Sequence, residues 1–185
     1  MTQLRPAVFL DRDGTLNVDR AYLTRPEQMQ LLPGVGAAVA RLRSAGFVCV
    51  VVTNQSVVGR GMMSEADLQI VHAEMTRQLE ASGASLDGIY HSPHVADHPD
   101  RKPAPGMLLR AAAELQLDLA SSWMIGDTPR DMLAGQDAGC RGCILVRTGH
   151  PFDEAQLALS VPLHIADDLT AAVTIILQAT PNPHS

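Results

Sequence analysis

Short apolar runs alternate along this chain with helix-length amphipathic segments, and that alternation confines it to few architectures. Six runs rich in Val, Ile and Leu read as strands: residues 7–10, 48–52, 88–91, 123–125, 143–146 and 163–166. Between them the helix punctuation is clear. Pro33 can open a helix that Gly46 closes, Ser64 suits an N-cap for a periodic segment ending at Gly83, and Pro105 and Pro129 open two more. Successive strand–helix units feed a parallel sheet through right-handed crossovers, which predicts an α/β, doubly wound, Rossmann-like sheet of five to six strands. At 185 residues the chain is expected to form a single domain, 1–185, around one such sheet. Its hydrophobic share of 46% includes only three Phe, two Tyr and one Trp, so the core falls to Val, Leu, Ile, Ala and Met, as buried parallel strands require. The polar stretches 12–32, 54–63 and 92–105 follow strand ends, where open α/β sheets bind their ligands.

Several function classes are disfavoured at once. The net charge is −6, with no basic run and no aromatic–basic interleaving, so a nucleic-acid partner is not expected. The longest apolar stretch near the C-terminus, residues 171–177, is far too short to span a bilayer, so no membrane role is expected. Three cysteines, an odd number set in apolar segments, and an N-terminal Met-Thr-Gln-Leu-Arg-Pro without the apolar centre of a secretion signal lead to an expected cytoplasmic residence with reduced thiols. Cys140 and Cys143 have the spacing of a redox or zinc pair, but no second pair exists, and they read as two unrelated thiols. His72 reads as a helix-surface residue. A monomer handling a small-molecule substrate is the expectation that remains.

The first strand runs straight into Asp11-Arg12-Asp13-Gly14-Thr15-Leu16-Asn17. Two carboxylates at the end of a buried strand repel each other and shift each other's proton affinity unless a cation stands between them, and a hard oxygen-seeking ion such as Mg²⁺ fits. A turn rich in Asp and Gly is also common after strands, so the motif needs company. Three other strand ends supply it. The second leads to Thr53-Asn54-Gln55-Ser56, with a hydroxyl and amides for phosphate oxygens. The loop after the third carries Arg101-Lys102-Pro103, and the fourth leads to Gly126-Asp127-Thr128-Pro129-Arg130-Asp131. Of the 14 basic residues, Lys102 alone is a lysine. Together these groups suit phosphoryl transfer: Asp11 as nucleophile, Asp13 as acid and base, Lys102 as a cation for the phosphoryl oxygens, and Asp127 completing a metal site. Asn17, Asn54, Gln55, Arg60 and Arg101, on the loops around them, are candidate substrate-binding residues.

Asp-x-Asp-Gly-Thr, a Thr after strand two, a distant Lys and a Gly-Asp with a further Asp resemble the four signature motifs of the haloacid dehalogenase superfamily. The resemblance covers nearly the whole chain. It implies Mg²⁺ held by the Asp11 and Asp127 side chains and the Asp13 carbonyl, a phosphate held by Thr53 and Lys102, and Asp131 as a supporting acid. Only short loops stand where the superfamily inserts cap domains, so the chain is expected to be capless. Within that branch, Thr-Asn-Gln-Ser followed by Gly59-Arg60-Gly61, Arg-Lys-Pro-x-Pro-Gly-Met and Val146-Arg147-Thr148-Gly149 resemble the histidinol-phosphate and heptose-bisphosphate phosphatase group, with residues 56–61 nearer the heptose side. A sugar phosphate is the implied substrate. The group usually carries a cysteine-rich zinc loop before Arg-Lys. Here the matching positions read Ser92-Pro93-His94 and His98-Pro99-Asp100, so thiolate ligation is impossible and no structural zinc is expected, although His91, His94, His98 and Asp100 offer nitrogen and oxygen. Two other functions share parts of this pattern. A receiver-type switch domain also clusters acids, Thr and Lys around a phosphorylated Asp, but lacks the acid/base two residues on. A nucleic-acid 3′-phosphatase is disfavoured by the acidic charge and the absence of a basic groove.

Overall fold

The computed structural model describes residues 4–151 and 159–180. Six strands form one all-parallel sheet: β1 Ala7–Leu10, β2 Val48–Asn54, β3 Gly88–Ser92, β4 Trp123–Gly126, β5 Gly142–Val146 and β6 Leu163–Ala166, in spatial order β3-β2-β1-β4-β5-β6. The chain winds outward from β1 to β3, then returns to pair β4 against the other side of β1. That reversal is the topological switch of a doubly wound sheet, and it opens a crevice beyond the carboxyl ends of β1 and β4.

The strands form as they do because both sheet faces are covered. In β1, Val8 and Leu10 point to one face and Ala7 and Phe9 to the other, and all four are buried. The same alternation splits β2 into Cys49 and Val51 against Val48, Val50 and Val52. The first face packs against α1 Val35–Ser44, α3 Glu65–Ala81 and α6 Leu169–Ala179, and the second against α4 Gly106–Leu115 and α5 Pro129–Ala138. A short α2, Ser56–Gly59, follows β2. Fully burying an aliphatic or aromatic side chain contributes about 1.5–3 kcal/mol, and dozens of such residues hold the layers together. Among the described residues no helix is long and apolar enough to cross a membrane.

Several sequence expectations are amended. Strand two continues two residues beyond Val52, so Thr53 and Asn54 lie in the ladder opposite His91 and Ser92. α6 and α2 had no counterpart in the sequence reading. His72 is buried, on the α3 face that carries Leu68, Val71, Met75 and Leu79, and is not a surface residue. Cys49, Cys140 and Cys143 are free and buried. Burial pushes the Cys49 and Cys143 thiols up to about 12, which leaves them unreactive.

Candidate active site

Adjacent strands β1 and β4 release Asp11 and Asp127 side by side at the switch point. The Asp11 amide still donates to the Ile125 carbonyl (2.9 Å), so the first carboxylate stands on the last rung of the ladder. Gly14, with φ of +77°, turns the chain back: a Cβ there would lie 2.5 Å from Asp127 Oδ2, and one on Gly149 only 1.8 Å from it. Two glycines thus let the backbone close around the Asp127 carboxylate.

Lys102 comes from the loop after β3. Asn54 grips the lysine backbone from both sides, its Nδ2 donating to the Lys102 carbonyl (2.9 Å) and its Oδ1 accepting from the Lys102 amide (3.0 Å). The buried ammonium then donates to Asp11 Oδ1 (2.7 Å), Asp131 Oδ1 (2.5 Å) and the Val52 carbonyl (2.7 Å). Asp131 is itself fixed as the third helical residue of α5, where its Oδ2 takes the Thr128 hydroxyl and amide in a capping box. Lysine thereby orients the nucleophile candidate and a second acid orients the lysine.

Asp11, Asp127 and Asp131 offer carboxylate oxygens within 4.8 Å of one another, and all three residues are buried. One ammonium offsets one of three charges. Burial first, with the neighbouring carboxylates adding to it, raises the proton affinity of Asp11 and Asp127, Lys102 opposing. Such excess negative charge, in an oxygen-only donor set, fits a divalent hard cation such as Mg²⁺. Asp19, Asp127 and His150, from the loops after β1, β4 and β5, form a second carboxylate–imidazole group that shares Asp127 with the first.

Asp13 has a different environment. Burial raises its proton affinity, but the Arg12 guanidinium and hydrogen bonds from Asn17, Arg12 and Gln55 outweigh this and hold the carboxyl below its usual range. Asp11, Asp13, Thr53, Asn54, Arg101, Lys102 and Asp127 all line one pocket, as the sequence places them. Three candidates stand elsewhere. Asn17 and Gln55 are buried beside the pocket and outside its lining, and their amides donate to Asp13. Arg60 is exposed and outside the pocket lining. Sequence reasoning missed Arg12, Asp19, Arg130 and His150. Arg12 and Arg130 lie inside the two acidic motifs, where sequence alone does not show which way a guanidinium points.

The loop that replaces the cysteine-rich segment is held by a ring stack, by local hydrogen bonds and by one contact with α3. The His94 and His98 rings stack with centroids 3.4 Å apart, His98 Nδ1 accepts from the Asp100 amide, His91 Nε2 meets Glu65 Oε1, and Arg101 donates to the His94 carbonyl. Among the described residues, neither group able to hold a metal draws on this loop.

Comparison with known proteins agrees with this geometry. Residues 100–172 match the HAD-hydrolase-like family model. The D-glycero-beta-D-manno-heptose-1,7-bisphosphate 7-phosphatase of Yersinia pestis is 42% identical, over 94% of this chain and 97% of that one. The enzyme of the same name from Escherichia coli strain K12 is 40% identical, over 94% and 96%. The crystal structure of D,D-heptose 1,7-bisphosphate phosphatase from B. bronchiseptica, complexed with magnesium and phosphate, superposes with a TM-score of 0.87 at 36% identity, covering 96% of this chain and 100% of that one. With its carboxylates at the switch point of such a sheet, and relatives of this identity along nearly its entire length, the chain belongs to the haloacid dehalogenase-like hydrolases, among their phosphatases.

Proposed function

We propose that this phosphatase depends on Mg²⁺, works through an aspartyl-phosphate on Asp11, and removes the 7-phosphate of a D-glycero-D-manno-heptose 1,7-bisphosphate. The observation that carries the mechanism is the asymmetric hold on Asp11: Lys102 binds Oδ1, and among the described residues no donor reaches Oδ2, which is left to attack. In the first step an Asp11 oxygen bonds to phosphorus as the bond from phosphorus to the sugar oxygen breaks, and Asp13, which must be protonated in the substrate complex, gives that oxygen a proton. In the second, water attacks the aspartyl-phosphate, Asp13 takes its proton, and Asp11 is released with phosphate. Thr53 would hold a phosphoryl oxygen, and the positive charge of Lys102, bonded to Asp11 Oδ1, would stand beside the transferring group. Mg²⁺, held by the Asp11 and Asp127 side chains and the Asp13 carbonyl, would neutralise charge on the transferring group.

The substrate rests on the relatives' names and on a charge pattern. Arg101 is half-buried at the pocket, and after burial itself the charges of Arg130 and Arg60 are what lower its proton affinity, with Asp97 opposing. Arg130 also lines the pocket. Two arginines lining the pocket, Arg101 and Arg130, with Arg60 close enough for its charge to act on Arg101, suit a substrate with a second phosphate, which Arg binds in bidentate fashion. Histidinol phosphate, which carries a cationic amine and an imidazole and has no second phosphate, suits that rim poorly. Phosphate release with Mg²⁺ from heptose 1,7-bisphosphate, sugar monophosphates and histidinol phosphate tests the reading. The bisphosphate should give the highest kcat/KM and Asp11→Asn should abolish turnover. Preference for histidinol phosphate would reject the substrate, and an active Asp11→Asn would reject the mechanism.

A further inference from the structure

Among the described residues Arg12 is one of the largest fully buried side chains, and it lies between the two catalytic carboxylates in sequence. Its Nε and Nη2 donate to Asp13 Oδ2 (3.1 and 2.8 Å), Nη2 also reaches Oδ1 (3.1 Å), and the same Nη2 donates to Gln55 Oε1 (3.0 Å). Gln55 closes the ring, its Nε2 donating to Asp13 Oδ2 and to Thr53 Oγ1, both at 2.9 Å. Asn17 Nδ2 donates to the remaining side of Oδ1 (3.0 Å). Asp13 is thus braced from three directions, and the brace ends on Thr53, another lining residue of the pocket.

Stability does not account for this arrangement. Among the described residues the buried Arg12 Nη1 has no hydrogen-bond partner, and neither does His72 Nε2. Taking a guanidinium out of water costs several kcal/mol, and a buried ion pair is often no better for the fold than apolar residues of the same volume. An incompletely satisfied buried cation with a fork matched to one carboxylate is instead a device for holding that carboxylate still. Free of it, Asp13 would sample several rotamers at the pocket wall, and a displacement of about 1 Å at a reacting group lowers rate on the order of a hundredfold.

We propose that Arg12, tied to Thr53 through Gln55, is a positioning residue of the phosphatase reaction that fixes the Asp13 carboxylate for proton transfer. The inference rests on the acid/base role given to Asp13 above. A purely structural ion pair would support the turn and nothing else.

The two roles separate by leaving group. Proton donation matters when a sugar alkoxide departs and hardly at all when p-nitrophenolate does, so a residue acting through Asp13 shares the leaving-group signature of Asp13→Asn. In kcat/KM, which covers the steps up to phosphoryl transfer, Arg12→Met should lose about tenfold to a hundredfold on a sugar phosphate and distinctly less on p-nitrophenyl phosphate. Gln55→Leu, a gentler change should Arg12→Met fail to fold, should show the same skew at smaller size. Adding Arg12→Met or Gln55→Leu to Asp13→Asn should cost little more, since residues that act as a unit are non-additive. Equal losses on both substrates in Arg12→Met or Gln55→Leu, with the skew present in Asp13→Asn, would overturn the positioning role alone. Absence of the skew in Asp13→Asn would overturn the acid/base reading, and this inference with it.

Discussion

Lys102 shows how far a single residue type can be argued. All three of its ammonium donors are used, on Asp11, Asp131 and the Val52 carbonyl. Burial works against its charge, but Asp11 and then Asp131 outweigh it and hold the ammonium well above its ordinary range. Acceptors on three sides suit a compact, rotatable ammonium, whereas a guanidinium is planar and wider. Lys102→Arg should therefore lose on the order of a hundredfold in kcat/KM although it keeps the charge. Lys102→Met, which leaves Asp11 and Asp131 unpaired, should also lose about 3–5 kcal/mol of stability. Steady-state kinetics and urea unfolding measure both, and an Arg variant near wild type would show that charge alone suffices. The place of this lysine at the site was legible in a chain that uses arginine at its other 13 basic positions. The roles of Asn17 and Gln55 were not, because a motif says which loop a side chain leaves from but not which way it points.

At the scale of elements, α3 carries the same lesson. Leu68, Val71, His72, Met75 and Leu79 form one buried stripe at helical spacing, so the position of His72 was available from periodicity, yet its polarity argued for the surface. Burial, with Arg12 and then His91 adding to it, pushes its imidazole down to about 3. In the unfolded chain it titrates near 6.5, so between those values the unfolded state binds the extra proton. The stability from a neutral His72 is present above about pH 6.5 and is lost as pH falls toward 3, by at most about 1.4 kcal/mol per pH unit. Urea unfolding at pH 7 and pH 5 should show wild type losing about 1–2 kcal/mol more than His72→Leu, and equal losses would show that this group does not set the acid limit. The strands were legible nearly to the residue, most plainly β1, β4 and β5, which are almost wholly apolar runs. α6 was not: Leu169, Ala172, Val173 and Ile176 form its inner stripe, but Ala171, Ile175 and Leu177 fill the flanks and erase the period.

For the whole molecule, the sheet's winding has a thermodynamic consequence. The reversal between β1 and β4 brings Asp11 and Asp127 together from positions more than a hundred residues apart, and α5 adds Asp131. The sequence named these acids, but only the strand order shows that three carboxylates share one ammonium in a buried space. Their repulsion opposes folding, and a divalent cation relieves it in the folded state alone. Binding at a hundredfold excess over Kd contributes about 2.7 kcal/mol. For a chain of 185 residues each kcal/mol moves Tm by about 2–4 °C, so Mg²⁺ should raise Tm by about 5–10 °C after stripping with EDTA. Asp127→Asn removes one charge while keeping an oxygen to accept the His150 amide, which now bonds Asp127 Oδ2 at 3.1 Å. Its metal-free Tm should therefore lie above that of wild type, and its response to Mg²⁺ should largely vanish. A variant that is less stable than wild type without metal would mean that the three acids are already neutralised by protons and by Lys102. In that case the metal would bind a site that folding has prepared at no electrostatic cost, and the Mg²⁺ shift of the wild type would fall to the size set by binding contacts alone.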